Sequence, residues 1–368
     1  MTVRVGLVGT SWWADAMYLP ALKDHPHGKV VAVCGRSRPN AERLAAQWGI
    51  PSVFTDYAEM FASGSIDAAI ISTTNDTHFP LAMSAIGAGL HILCEKPLAL
   101  NAAQARQMAD AAQARGIKHM VPFTYSFTPT TRYLKSLIDQ GYIGQPLHLN
   151  LRYYAGYGRS GEYLWRFDQR IAGSGALGDI GSHFLYLARL FFGEVAGLYA
   201  HLGTFTRRPP LDPAGQPYTQ TEDTAIVTLA FQNGAEGVVH ASTQAYEDSK
   251  FGQQHHYELH GSAGTLYYTC DWNTVQQIKG ARVGEGLPRE LTIPDEFWMG
   301  ARRDNVVDGY HDVFRKQDYM TRQWVTAIAE DRPVRPDFSD GLAVQRLIDA
   351  GLLSHHHRRW VDLSEIKD

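Results

Sequence analysis

Two short stretches of this 368-residue chain carry side chains suited to moving a proton beside a reacting carbon. In Cys94-Glu95-Lys96-Pro97-Leu98, a lysine is fixed between a carboxylate and a proline at the end of an apolar run. There it could hydrogen-bond a reacting hydroxyl, and burial would favour its neutral form. In Gly173-Ser174-Gly175-Ala176-Leu177-Gly178-Asp179-Ile180-Gly181-Ser182-His183, Asp179 and His183 are four apart at the start of a helix and so share one face. A carboxylate beside an imidazole orients it and favours its charged form, as acid/base catalysis requires. Each has a plainer alternative: a surface lysine paired with Glu95, and a helix-capping Asp179 with His183 packed in the first turn.

Two other segments could hold phosphates. Val3 to Val8 runs into Gly9-Thr10-Ser11-Trp12-Trp13-Ala14. A dinucleotide fingerprint needs glycine at the tight turn, a second where backbone nears the pyrophosphate, and a small residue where helix meets strand. Gly9 and Ala14 suit the first and third roles. Ser11 replaces the second glycine, and its hydroxyl could donate to phosphate. After the next apolar run comes Cys34-Gly35-Arg36-Ser37-Arg38, with no carboxylate for ribose hydroxyls and two guanidiniums beside a hydroxyl. That set suits a 2′-phosphate, so NADP(H) is expected over NAD(H), with NAD(H) kept as the alternative. A solvated basic loop would look the same.

The elements that must position these segments follow from periodicity. Val3–Val8, 30–34, 67–72 and 90–94 are apolar on both faces, as in a buried parallel sheet. They alternate with helical stretches at 40–48, 77–88 and 101–115. Asp76 or Thr77 and Asn101 are the expected N-caps, and Gly49, Gly89 and Gly116 the expected stops. The expected fold is therefore α/β, a doubly wound Rossmann sheet over residues 1–121 followed by an α+β domain over 122–368. In the second domain a helix at 129–140 precedes an alternating run at 147–154, and a helix at 180–192 precedes runs at 224–231, 237–243, 257–260 and 265–268. Period-two alternation predicts an antiparallel sheet with one face covered. Long loops are expected at 203–222 and 280–300, and helices at 311–330 and 339–355, the last helices being candidates to pack back on the first domain.

Composition narrows the class. Lys plus Arg is 34 against 38 Asp plus Glu, a net charge of −4, with no basic stripe for nucleic acid. The most apolar stretch, 184–200, is broken by Arg189 and Glu194, so no membrane span is expected. Met1 leads almost directly into a strand-like run, so no export is expected either. Cys34, Cys94 and Cys270 lack metal-type spacing and fit a reducing, cytoplasmic setting without disulfides or a bound metal. His355, His356 and His357 point different ways around a helix, and His255 and His256 face opposite sides of a strand.

The glycine turn, the Glu-Lys-Pro segment and the Asp-x-Gly-x-His cluster, in this order, resemble the glucose–fructose oxidoreductase/inositol dehydrogenase (Gfo/Idh/MocA) family over most of the chain, including Trp165-Arg166 and Asp340-Gly341-Leu342. The resemblance implies a Rossmann domain, a second domain with a large open and mainly antiparallel sheet, and NAD(P)-dependent chemistry on sugar- or cyclitol-like alcohols. By motif position Lys96, Asp179 and His183 match the family's catalytic trio. Thr73, Thr74, Asn75 and His78 match its cofactor loop, and Trp165 with Arg166 a further cofactor contact in some members. Glu95, Lys96 and Pro97 join Gly9 to Trp13 and Arg36 to Arg38 as expected cofactor contacts. Tyr125 and Tyr153 join Lys96, Asp179 and His183 as expected substrate contacts. The chain departs from the family at Ser126, where arginine is frequent, and at Tyr186, where aspartate is common. Both departures suggest a neutral substrate.

The expected reaction is hydride transfer between a nicotinamide and a secondary alcohol or ketone of a carbohydrate-like molecule. A glycosidase that retains NAD and a nucleotide-binding regulator without turnover are the alternatives. Because an exposed sheet face is costly, a homodimer or homotetramer covering it is expected.

Overall fold

The computed structural model describes residues 2–246 and 252–367, so Met1 and Asp368, the outer ends of the two expected domains, lie outside it. The described chain divides into two units, 2–123 with 311–345 and 124–310 with 346–367.

The first unit is built on six parallel strands: β1 (Val3–Val8), β2 (Gly28–Cys34), β3 (Ser52–Phe54), β4 (Ala68–Ile71), β5 (His91–Cys94) and β6 (His119–Met120). Their order is β3-β2-β1-β4-β5-β6. Leu7 and Val8 on β1, Ala69 and Ile70 on β4, and Ile92 and Leu93 on β5 point to opposite faces and are all buried, which is why these strands are apolar on both faces. The order reverses between β1 and β4, and the carboxyl ends of strands at such a reversal are where doubly wound sheets place their ligand crevice.

Several helix ends differ from expectation. The helix after β2 is Arg38–Trp48, starting two residues early because the Ser37 side chain accepts from the Asn40 N–H and Pro39 suits a first turn. The helix after β4 is Asn75–Gly87, with Thr74 at its N-cap, so neither Asp76 nor Thr77 caps it. Thr77 instead donates to Thr73 and to the Thr74 carbonyl. That helix ends on Ala88, with Gly89 just beyond it at φ +77°. Asn101 caps Ala102–Arg115, and Gly49 and Gly116 end their helices in the left-handed region, as the spacing predicts. The helix expected at 311–330 is two helices, Val306–Lys316 and Thr321–Ala329, parted at Met320, whose φ is +51°. Within the first unit, Arg315 and Arg322 donate to the carbonyls of Ala16 and Ala21, and the Trp324 indole donates to that of Lys118.

Among the described residues the second unit holds nine strands: β7 (Pro146–Ala155), β8 (Val195–Gly203), β9 (Thr224–Phe231), β10 (Glu236–Ser242), β11 (Gln253–Gly261), β12 (Gly264–Cys270), β13 (Gln276–Arg282), β14 (Arg289–Glu290) and β15 (Val361–Asp362). Their order is β14-β13-β12-β11-β7-β10-β9-β8-β15. β7 and β10 pair in parallel and every other neighbouring pair is antiparallel. Leu149, Leu151, Tyr153 and Ala155 face inward, where the helix Ser182–Phe192 packs on β7 and β10. The expected loop at 280–300 is not one loop, because it contains the end of β13, all of β14 and the short helix Asp295–Trp298.

Residues between β8 and β9 do form a long loop, pinned by a fully buried ion pair. The Arg208 guanidinium lies 2.8 Å from the Asp223 carboxylate, which also accepts the N–H groups of Phe205 and Thr206. Removing one partner would leave a buried charge unmatched. Asp223→Ala is therefore expected to destabilise the protein by about 3–5 kcal/mol. Denaturant unfolding followed by tryptophan fluorescence measures this, and an unchanged midpoint would show that the pair does not hold the loop.

Candidate active site

In the first unit the turn after β1 is set by close approach. Gly9 adopts φ +110°, and a Cβ there would sit 2.1 Å from the Ser72 carbonyl oxygen at the end of β4. Ser11 ties the same two strands: its hydroxyl is 2.9 Å from that of Ser72 and accepts the Ala14 N–H. A Cβ on Gly35 would strike Thr10, 2.8 Å away, so the end of β2 packs against this turn as well. Trp12 is exposed and meets Trp13 edge-on. Backbone N–H groups and the hydroxyls of Ser11, Thr73 and Thr74 line these strand ends, a donor set that fits a dinucleotide's phosphates and ribose.

His78 sits behind that crevice. It is fully buried, with Nδ1 2.9 Å from the Pro97 carbonyl oxygen and Nε2 3.3 Å from that of Thr73. It has no surface to offer a ligand, and its part is to brace the Thr73 loop against the Lys96-Pro97 turn. Glu95 is fixed by its neighbours, accepting from the Tyr18 hydroxyl and the Lys96 N–H, while burial pushes its carboxyl above the ordinary range.

In the second unit Asp179 lies in a five-residue π-turn, Leu177–Gly181, that leads into Ser182–Phe192. Its carboxylate does not cap that helix. One oxygen accepts from the Tyr157 hydroxyl at 2.5 Å and is 3.2 Å from Nε of Arg166. The Arg166 guanidinium also lies 4.6 Å from the centre of the Trp165 ring. His183 is almost buried in the first turn of the helix, its ring 4.7 Å from that of Tyr125. The Tyr125 hydroxyl is 2.8 Å from the Tyr153 hydroxyl, which donates to Oε1 of Gln253. Thus Asp179, Arg166 and Trp165 come together, as do His183, Tyr125 and Tyr153, whereas Lys96 belongs to the other unit.

Sequence reasoning passed over Gln253, His255 and Trp272 as site residues. The His255 ring lies 4.7 Å from that of Tyr125 and 4.3 Å from that of Tyr153, and Trp272 packs edge-on to both His255 and Tyr125. Their signal was strand parity: 253 and 255 share the inward parity of Tyr257 on β11. Of the two family departures, Tyr186 is buried in its helix and Ser126 is half-buried in a short 3₁₀ turn.

The reversal point of a doubly wound parallel sheet is where such folds take a dinucleotide, as in NAD(P)-linked oxidoreductases. The comparisons agree. Residues 3–123 match the Gfo/Idh/MocA oxidoreductase model with its NAD-binding Rossmann fold, and residues 131–267 match the C-terminal domain of the same group. The chain belongs to the Gfo/Idh/MocA family. It is an NAD(P)-dependent dehydrogenase or reductase of a class that acts on sugar- or cyclitol-like molecules. Levoglucosan dehydrogenase from Pseudarthrobacter phenanthrenivorans is 30% identical over 99% of each chain. A solved levoglucosan dehydrogenase, in complex with NADH and levoglucosan, superposes with a TM-score of 0.87 at 27% identity, over 99% of this chain and all of that one. An NAD-binding oxidoreductase from Klebsiella pneumoniae superposes with a TM-score of 0.85 at 30% identity over the whole of both chains.

These likenesses overturn the expected preference for NADP(H). The levoglucosan dehydrogenase complexes hold NADH. The geometry of this chain supplies a reason. Ser37 spends its hydroxyl on capping a helix, and Arg38 opens that helix with its guanidinium 3.6 Å from Glu42, one turn on. Ser37 is thus the cap and Arg38 the first residue of a helix, with the Arg38 guanidinium already paired, while Arg36 stands in the bend before them.

Burial holds the His78 imidazole at a pKa of about 4, far below its usual 6.5, so it is neutral at pH 7 and has one proton to donate. The unfolded chain takes up the second proton first, near pH 6.5. This group therefore leaves stability intact above 6.5 and erodes it as the pH falls, by about 3 kcal/mol at pH 4. Ring-nitrogen NMR should show His78 neutral from pH 8 down to 5; a midpoint near 6.5 would contradict the strut.

Proposed function

We propose that this protein oxidises a ring hydroxyl of a neutral carbohydrate with NAD⁺, in the manner suggested by its likeness to levoglucosan dehydrogenase. The observation that carries the reading is the Asp179 carboxylate held between Tyr157 and Arg166 on the same helical face as His183. His183 takes the hydroxyl proton, and Asp179 steers the imidazole and balances its charge. Lys96 hydrogen-bonds the reacting oxygen and stabilises negative charge as it develops there. NAD⁺, when bound, supplies the hydride acceptor. Gly9 to Trp13, Ser37, Thr73 to Asn75 and Pro97 would hold it, with His78 bracing the loop from behind.

Substrate neutrality follows from where the cations are. Arg166 is committed to Asp179, and the aromatic wall of Tyr125, Tyr153, Trp272 and His255 offers no positive charge, since burial drives the His255 pKa well below 6.5. A carboxylate substrate would lack a partner there.

The same reading extends to setting and assembly. Cys34, Cys94 and Cys270 are free and buried, in keeping with a cytoplasmic protein. Among the described residues, no helix is long and apolar enough to cross a membrane. Leu147, Tyr199 and Ile226 are exposed on strands of the nine-stranded sheet, and a second copy would cover its open face.

His183→Ala should lower turnover by about 10²–10⁴-fold, and Lys96→Ala by at least as much. NADH affinity in His183→Ala, measured by fluorescence titration, should stay close to that of the parent. Near-parent turnover would reduce His183 to a packed helix residue. In a panel of sugars, inositols and uronates with NAD⁺, neutral compounds should be oxidised in preference to their uronate analogues; a uronate preference would sink the neutral pocket.

A further inference from the structure

The reaction assigned above uses His183 and Asp179 but gives no task to the buried polar row beside them. Tyr125, Tyr153 and Gln253 are each 8% exposed or less, so water does not compete for their hydrogen bonds. An amide oxygen can only accept, and the Tyr153 hydroxyl donates its one proton to Oε1 of Gln253 at 2.5 Å. The Tyr153 oxygen is left as an acceptor and takes the Tyr125 proton across 2.8 Å. The Tyr125 oxygen is then left to accept only, and one of its acceptor positions faces the Gln253 side chain, whose hydrogen bond favours it. One carbonyl on β11 has fixed two protons in sequence.

The surroundings keep this polarity from reversing. Burial holds both phenols well above their ordinary range, so neither ionises near neutral pH. The His255 ring presses on both phenols and stays uncharged, again through burial. Tyr125 is also the residue whose ring meets that of His183, so the fixed oxygen belongs to the side chain next to the proton-transferring imidazole.

We propose that Gln253 is a specificity-determining positioning residue. By ordering the protons of Tyr153 and Tyr125, it makes the Tyr125 oxygen an obligate acceptor. That oxygen binds a ligand hydroxyl that donates to it and repels a carbonyl or carboxylate oxygen placed there. Gln253 itself touches no substrate. The inference rests on the dehydrogenase reading, which is what brings a sugar hydroxyl to this side of His183.

The test uses the full-length protein with NAD⁺ on levoglucosan, methyl β-D-glucoside and myo-inositol, and then on monodeoxy analogues of the best substrate. Wild type is compared with Gln253→Leu, Gln253→Glu and Tyr153→Phe. In Gln253→Leu the Tyr153 proton is released and the pair can turn round. KM should then rise about tenfold with a much smaller change in kcat, as expected for one ordering hydrogen bond. Discrimination between the parent sugar and the deoxy analogue lacking the bound hydroxyl should shrink by a similar factor. Gln253→Glu keeps an acceptor and should retain the discrimination. A merely structural glutamine would lower the melting temperature and leave the discrimination ratio unchanged. If Gln253→Leu does not fold, Tyr153→Phe decides by the same ratio. An active wild type with an unchanged ratio in the folded variant overturns this inference alone. A wild type inert on the whole panel overturns the dehydrogenase reading and this inference with it.

Discussion

The second unit depends on two consecutive buried carboxylates, Glu222 and Asp223, at the entrance to β9. Burying a carboxylate is costly unless its oxygens are paired. Asp223 meets that cost with the Arg208 guanidinium and two backbone N–H groups from the loop that precedes it. Glu222, whose carboxyl burial pushes upward, accepts the Leu177 N–H through its side chain and the Ala176 N–H through its carbonyl. That contact leaves no room for a side chain at Gly175, where a Cβ would lie 2.0 Å from the Glu222 oxygen. Gly175 is thus explained by the need to lay the turn that carries Asp179 directly on this dipeptide.

The same two residues fix the other partner of Asp179. Arg208, held by Asp223, donates to the Gly158 carbonyl, as does Gln244, and the Thr243 hydroxyl donates back to the Asp223 carbonyl. Gly158 follows Tyr157, whose hydroxyl is bonded to Asp179. Both ends of the Tyr157–Asp179 hydrogen bond are therefore anchored to one buried site. Placing a carboxylate through a shared anchor limits the drift between it and its hydrogen-bond partner, and reaction rates are sensitive to misplacements of about 1 Å wherever such a group takes part.

What could be read from sequence follows from how each element is buried. Strands β1, β2, β4 and β5 are largely covered on both faces and so are rich in Val, Ile, Leu and Ala, with Arg4 and Lys29 the exposed exceptions near the strand starts. β3 and β6, at three and two residues, are too short to show any period. β8 was hidden because Val195, Gly197 and Leu198 are all buried across a register shift near its start, which breaks the alternation. The paired helices at 306–329 looked continuous because nothing in the residue type of Met320 announces a positive φ. Asp179 and His183 could be singled out as candidates because they stand four residues apart, and Lys96 because of its Glu-Lys-Pro setting. Gln253 and His255 could not, because a polar residue on an inward strand position looks the same as one facing water. The cofactor was misjudged at Arg36 and Arg38 because side-chain type was weighed without the partner, although Glu42, the ion-pair partner of Arg38, stands at helical spacing four residues on.

Histidine chemistry in this protein is divided by burial. His78 and His255 are both held neutral by exclusion from water, one as a strut between two carbonyls and the other as a wall of an aromatic cluster. In both, burial outweighs everything that would favour an added proton, including the Asp76 carboxylate near His78. His183 differs in one structural respect: it lies four residues after a carboxylate, on the same face of the turn and helix that the Glu222–Asp223 anchor holds in place. An imidazole becomes useful for proton transfer when its charged form has somewhere to go. In the proposed reaction that provision would come from Asp179, whose turn the backbone contact at Gly175 holds in place.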